Sequence, residues 1–178
     1  MTRLSPVLDA RELPDAELQA MRLDGQVFPL AGSWCPLDTV ETPEVRAGSI
    51  ASGRSARLVA ALGTAAWIWG ATPRAPRLLE LCADVRARAR VRPGAGAVLH
   101  ELVLADADVV RWPHAAATSP MRTALDLARS GAEEPEVLRR LAEVGGFDRR
   151  ELIARLEAQR APGSRRALRV LDAAFSRR

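Results

Sequence analysis

Thr118-Ser119-Pro120-Met121-Arg122-Thr123-Ala124-Leu125-Asp126-Leu127-Ala128-Arg129 is the stretch on which the fold turns. Ser119 followed by Pro120 opens a helix, because a hydroxyl can cap the first free amides and proline fits the first turn, where no amide partner is needed. Met121, Ala124, Leu125 and Ala128 recur at three- and four-residue spacing and draw one apolar stripe. Arg122 and Asp126 stand four apart and can pair along that helix. No nucleophile or partner carboxylate accompanies them at a recognisable spacing, so the pair reads as structural rather than catalytic.

Downstream of this helix the pattern stays helical. Helices are predicted over 135–144, over 149–159 with Asp148 and Glu151 as a capping box, and over 165–176 capped by Ser164. Upstream the pattern changes. Leu78–Val85, Ala97–Leu104 and Val109–Trp112 read as strands and predict a small antiparallel sheet. A connector with Pro73 and Pro76 precedes them, and before it Thr64 is positioned to cap a brief helix over 65–69 that ends at Gly70. Trp67 and Trp69 in that helix are candidate core anchors. Thr42-Pro43-Glu44 starts a short helix weakened by Gly48 and Gly53, and 57–62 is apolar without a decisive period. At the start of the chain, a helix over 14–24 leads to two short strands, Val27–Leu30 and Trp34–Leu37, joined by a turn at Ala31-Gly32.

The expected fold is therefore α+β. A reduced winged-helix-like N-terminal module, a helix plus β-hairpin over residues 1–40, precedes a small antiparallel sheet packed with several C-terminal helices over 41–178. Only thirteen residues stand before Pro14, too few for the two further helices of a complete winged helix.

Composition narrows the chemistry. The chain has 178 residues and a 48% hydrophobic share, enough for an ordinary core, and its 26 cationic side chains are all arginine. Without lysine it has no Walker A lysine, no Schiff-base lysine and no carboxylate-x-lysine nuclease core. Cys35 and Cys82 lie far apart with no metal-ligand spacing, and His100 and His114 are isolated, so no metal or cofactor is expected. Asp106 and Asp108 read as turn residues between strands. Two lone thiols, no signal-length apolar start and no spanning segment point to the cytoplasm and away from a membrane.

Two arginine groups are candidate sites for nucleic acid or an acidic partner. Arg86, Arg88, Arg90 and Arg92 alternate with small or apolar residues and would share one face of an extended ribbon. Arg160, Arg165, Arg166, Arg169, Arg177 and Arg178 gather at the C-terminal end, where Leu168, Leu171 and Phe175 leave Arg165, Arg166 and Arg169 on the outer face of an amphipathic helix.

Ala65-Ala66-Trp67-Ile68-Trp69-Gly70, the basic strand pair, Asp108-Val109-Val110, the helix motif at 118–129 and Pro162-Gly163-Ser164-Arg165-Arg166-Ala167-Leu168 together resemble actinobacterial proteins of the AbiEi type. These are the antitoxin side of type IV toxin-antitoxin systems. The resemblance runs over residues 13–170 and is most specific at 118–129, with Ser119, Arg122 and Asp126 at its centre. It implies an N-terminal winged helix joined to a C-terminal α/β domain, transcription regulation by DNA binding at the protein's own promoter, and a nucleotidyltransferase-like toxin as partner. It implies no nuclease, and with no lysine, metal cluster or nucleophile-base pair in the sequence neither catalysis nor a cofactor is expected. The helix at 14–24, however, carries Asp15, Glu17 and Asp24 against Arg22, the wrong sign for a polyanion. Two functions are therefore expected: an antitoxin-like regulator that binds DNA and/or neutralises a partner toxin, or a protein-interaction module that does not bind DNA.

Overall fold

A helix with acids in its first turn, a two-residue hairpin and then a β-to-α alternation set the order of elements in the computed structural model of the chain, which describes residues 7–86, 92–131, 134–159 and 162–176. The first helix, α1 (Asp15–Leu23), buries Leu18 and exposes most of the rest. Strands β1 (Val27–Leu30) and β2 (Ser33–Pro36) pair antiparallel around Ala31-Gly32, both at positive φ, 47° and 89°. That is the turn geometry that matches the right-handed twist of a hairpin. Leu8 bonds to Trp34 at the hairpin edge.

The short helix expected after Thr42 is α2 (Pro43–Ala51), nine residues that run through Gly48 and end before Gly53. Thr42 caps it, its hydroxyl accepting from the Val45 amide at 3.3 Å, and Val45, Ala47, Ser49 and Ile50 are buried along it. That packing outweighs the glycine cost of about 1 kcal/mol. The next helix, α3 (Leu62–Ile68), follows the two-residue strand β3 (Val59–Ala60). Thr64 does not cap it. The residue before the helix is Ala61, and the Thr64 hydroxyl instead accepts the Glu80 amide at 2.8 Å while the Glu80 carboxylate accepts the Gly63 amide at 2.9 Å. Helix and sheet are clamped together by this exchange.

The main sheet has the strand order β5-β4-β3-β7-β6, with β4 (Leu79–Asp84), β5 (Ala97–Leu102), β6 (Val109–Trp112) and β7 (Ala115–Thr118). The α+β class, the helix-plus-hairpin start and the helical C-terminal half stand as read from the sequence. The strand directions differ. The sheet is mixed rather than antiparallel: β4 runs parallel to β5 and β3 parallel to β7, while β3 with β4 and β6 with β7 are antiparallel. The cause is β3, which takes the centre and holds β4 and β7 on opposite sides.

Four helices complete the chain: α4 (Pro120–Ser130), α5 (Pro135–Gly145), α6 (Arg149–Gln159) and α7 (Ser164–Phe175). Ser119 caps α4 as expected, accepting the Arg122 amide at 3.3 Å, and Asp148 and Glu151 form the expected reciprocal box before α6. The cap of α7 is a correction. Gly163, at φ 84°, takes the cap position and Ser164 is the first helical residue.

Three clusters make the core. Leu125, Leu127, Leu138, Leu141, Leu152, Leu156 and Leu171 join the four C-terminal helices. A second cluster runs from Val7, Leu30 and Cys35 through Ile50 and Trp67 to Leu81 and Ala117, so the hairpin and one face of the main sheet share a core. Val59, Ala61, Cys82, Leu104 and Ala116 form the third, on the opposite face. Trp67 is buried in the second cluster with Arg46 over its ring, and Trp69 donates to the Thr118 carbonyl at 2.8 Å and packs on Trp112. Among the described residues no helix is long and apolar enough to cross a membrane.

Candidate functional site

Sequence placed Arg122 and Asp126 one helical turn apart, and the structure puts them at the centre of a larger cluster. Arg122 Nε donates to Asp126 Oδ2 at 2.7 Å, and its Nη1 donates to Asp108 Oδ2 at 2.7 Å and to the Val103 carbonyl at 3.0 Å. Asp108 also accepts from the Ala105 amide at 3.1 Å and from Arg155 Nη2 at 3.1 Å. Asp126 accepts from Arg129 Nη1 at 3.3 Å, and Arg129 Nη2 reaches Gln159 Oε1 at 2.7 Å. One cluster thus ties the connection after β5, the start of β6, α4 and α6 together.

The reading of Asp108 as a turn residue is half the story. It lies in a single 3-10 turn, Asp106–Asp108, yet its side chain is only 6% exposed and bridges two arginines. Its bridging role is not legible in the local sequence, because its partners lie 14 and 47 residues away. Burial works against its charge, but the Ala105 amide and the guanidiniums of Arg155 and Arg122 outweigh burial and hold the carboxyl below its ordinary range. For Asp126 burial wins over Arg122 and Arg129, and its carboxyl is pushed up. Desolvation of Arg122 is likewise overcome, by Asp126 and Asp108, which raise its affinity for the proton.

Burial pushes the Cys35 thiol up to about 11 and the Cys82 thiol up to about 12, so neither is a ready thiolate. His100 lies 3.6 Å from Glu80, beyond hydrogen-bond reach, and His114 is exposed in the turn between β6 and β7. Among the described residues no three His, Cys, Asp or Glu side chains are placed to hold a metal ion.

The arginine groups are only partly brought together. Arg86 sits in the turn after β4, pairs with Asp84 at 3.0 Å and donates to the Leu104 carbonyl, so it is folded back on its own sheet. Arg92 is exposed before the loop that leads into β5. Arg88, Arg90, Arg160, Arg177 and Arg178 lie outside the described residues. On α7 the expected division holds: Ala167, Leu171 and Ala174 are buried while Arg165, Arg166 and Arg169 are exposed. Arg166 is anchored by a 3.0 Å bond from its Nη1 to the Ser130 carbonyl at the end of α4.

The N-terminal module has a different surface. On α1, Asp15 and Glu17 are exposed, and Leu23, Leu37 and Val40 are 82%, 65% and 76% exposed. Leu37 donates its amide to the Gln26 carbonyl at 2.9 Å, which places it beside the end of α1.

Fold and site together define an α+β protein in which a helix-hairpin module shares a core with a mixed sheet, and a helical subdomain is riveted to that sheet by a buried arginine-aspartate cluster. No protein-family model matches the chain, and no curated protein matches it by sequence. Among solved structures it is similar to the crystal structure of the RV2827C protein from Mycobacterium tuberculosis, with a TM-score of 0.50 at 18% identity over 92% of this chain. This chain spans 66% of the length of that one, and the likeness is one of fold.

Proposed function

We propose that the chain is a non-enzymatic, antitoxin-like regulator that acts in the cytoplasm by holding partners, with promoter DNA taken by its arginine-rich C-terminal half. The observation that carries this reading is the exposed arginine face of α7 on a helix whose other face is buried. Arg165 and Arg169 have no ion-pair partner among the described residues, so their guanidiniums are available to phosphate without breaking an internal contact. The resemblance of the 118–129 motif to AbiEi-type antitoxins supports the same reading and adds a nucleotidyltransferase-like toxin as the expected second partner.

Gel-shift titration against the DNA upstream of the protein's own gene tests it. Replacing Arg165, Arg166 and Arg169 by Ala should weaken binding across sequences and flatten the salt dependence, since each phosphate contact on duplex DNA contributes about 0.9 to the log-log slope. An unchanged slope in the triple variant would reject the α7 surface.

A second reading has its own support. The exposed Leu23, Leu37 and Val40 beside the acids of α1 suit a protein surface better than a phosphate backbone. If the parent chain shows no shift even at low salt, the protein-interaction module is the better description.

A further inference from the structure

Among the described residues the main sheet ends at β5, and no strand pairs with the outer edge of that strand. The Gly96 and Leu102 carbonyls accept from the Leu79 and Val85 amides, at 2.9 and 3.1 Å, so even-numbered residues of β5 face β4. By the two-residue period, the backbone groups of Leu99 and Glu101 point away from the sheet. Neither residue has a backbone partner there among the described residues. Open edges are normally blunted by proline, lysine, a bulge or brevity. Strand β5 is six residues long with no proline, exposes Val98 and is followed by the exposed Val103.

Beside this edge a groove of about 530 Å³ lies between the end of β5 and the C-terminal end of α6, in the size range of a ligand site. The carboxylates of its inner lining are already satisfied. The oxygens of Asp108 and Asp126 are already occupied within the arginine cluster, and Gln159 Oε1 is taken by Arg129. Among the described residues, the donors that remain are the Gln159 amide nitrogen and the rest of the half-exposed Arg155 guanidinium, while Arg129 Nε, also without a partner, is buried. Leu102, Val103, Ala158 and Pro162 supply apolar walls, and Glu101 stands at the margin.

We propose that β5 accepts an extended acidic segment of a partner protein as an added strand, with a carboxylate side chain of that segment received by Arg155 and the Gln159 amide. The free edge calls for a peptide backbone rather than a small anion, and the donors left over in the groove call for a carboxylate on the face that looks toward α6. Glu101, on the alternate face, disfavours acid there and so asks for acidic residues at every second position. This site is separate from the α7 arginines, so loss of DNA binding and loss of peptide binding are independent outcomes.

The test uses the full chain and a synthetic eight-residue peptide alternating Val and Glu, followed by fluorescence anisotropy and by hydrogen exchange. Saturable binding is expected, with slowed exchange at Leu99 and Glu101. Changing every Glu of the peptide to Gln should weaken binding at least tenfold, as should Arg155→Gln in the protein. N-methylation of alternate peptide amides should abolish it, and that arm leaves the protein untouched. Absence of binding, equal binding of the N-methylated or Gln peptide, or unchanged exchange at β5 would overturn the proposal. Self-association of the parent through β5 that the peptide cannot displace would assign the edge to a second copy instead.

Discussion

Asp108 shows how much a single buried charge can hold. It fixes Arg122 and Arg155 at once, and both its oxygens are occupied by donors from elements that are remote in sequence. Truncating one partner of a buried pair leaves the other uncompensated, so Asp108→Asn should cost about 3–5 kcal/mol at neutral pH, read from urea or thermal unfolding. The pH dependence has a definite sign. An aspartate in the unfolded chain protonates near pH ~3.9 and the folded Asp108 lower still. Its contribution is therefore complete above that pH and is lost as pH falls through the folded-state value. Asp126, with its carboxyl raised, acts in the opposite sense, its contribution fading as pH rises past the ordinary carboxylate range. Asp108→Asn should accordingly flatten the acid limb of the melting curve against pH, and a parent-like limb would show that Asp108 is not its source. Trp67 carries a comparable load without charge. It is 3% exposed in the cluster that joins the hairpin to the sheet, so Trp67→Ala should cost about 3–5 kcal/mol and leave little folded protein. A variant melting within a degree or two of the parent would contradict that role.

At the scale of elements, the hairpin turn stores a strain that can be removed. Ala31 holds φ at 47°, a region that asparagine and glycine adopt at lower cost than alanine, so Ala31→Asn should stabilise the chain by about 0.5–1 kcal/mol in equilibrium unfolding. A neutral or destabilising result would mean that the packing of Ala31 against the core matters more than its backbone. The turn itself was legible in the sequence, as were the caps at Thr42, Ser119 and Asp148, because each is a local signal with a local cause. The strand β7 was not. Ala115-Ala116-Ala117-Thr118 has little β-propensity, and it is a strand because its small side chains let the neighbouring helices approach a sheet position already defined by β3 and β6. Nor were the parallel pairings legible: β3 is two residues long, and its partners are chosen by packing rather than by any turn in the sequence. The candidate site divides in the same way. Arg122, Asp126 and Arg129 stand at helical spacing on one element, whereas Asp108, Arg155 and Gln159 join them only after the chain has folded.

Across the whole molecule charge is separated along the chain. Residues 1–45 hold three arginines against eight acidic residues, while residues 46–178 hold twenty-three against fourteen. Fields of this kind extend beyond individual contacts and bias which part of a surface a polyanion approaches. If DNA is held by the C-terminal half, the acids of α1 repel it without touching it. Neutralising Asp15, Glu17 and Asp24 as Asn, Gln and Asn should then raise affinity for DNA of any sequence. The gain should shrink as salt rises, because the interaction is long-ranged and the screening length falls from ~10 Å at 0.1 M to ~3 Å at 1 M. The fold should tolerate the change, since Asp15 and Glu17 are exposed and the buried contact of α1 is Leu18. A recognition helix would behave otherwise. If α1 enters a groove and uses these carboxylates to read bases, the same triple variant should lose discrimination between its preferred DNA and a scrambled duplex, at either salt concentration. Anisotropy titrations of parent and variant on both duplexes at 50 and 200 mM salt separate the two: a uniform, salt-sensitive gain places DNA away from α1, and a sequence-selective loss places it there.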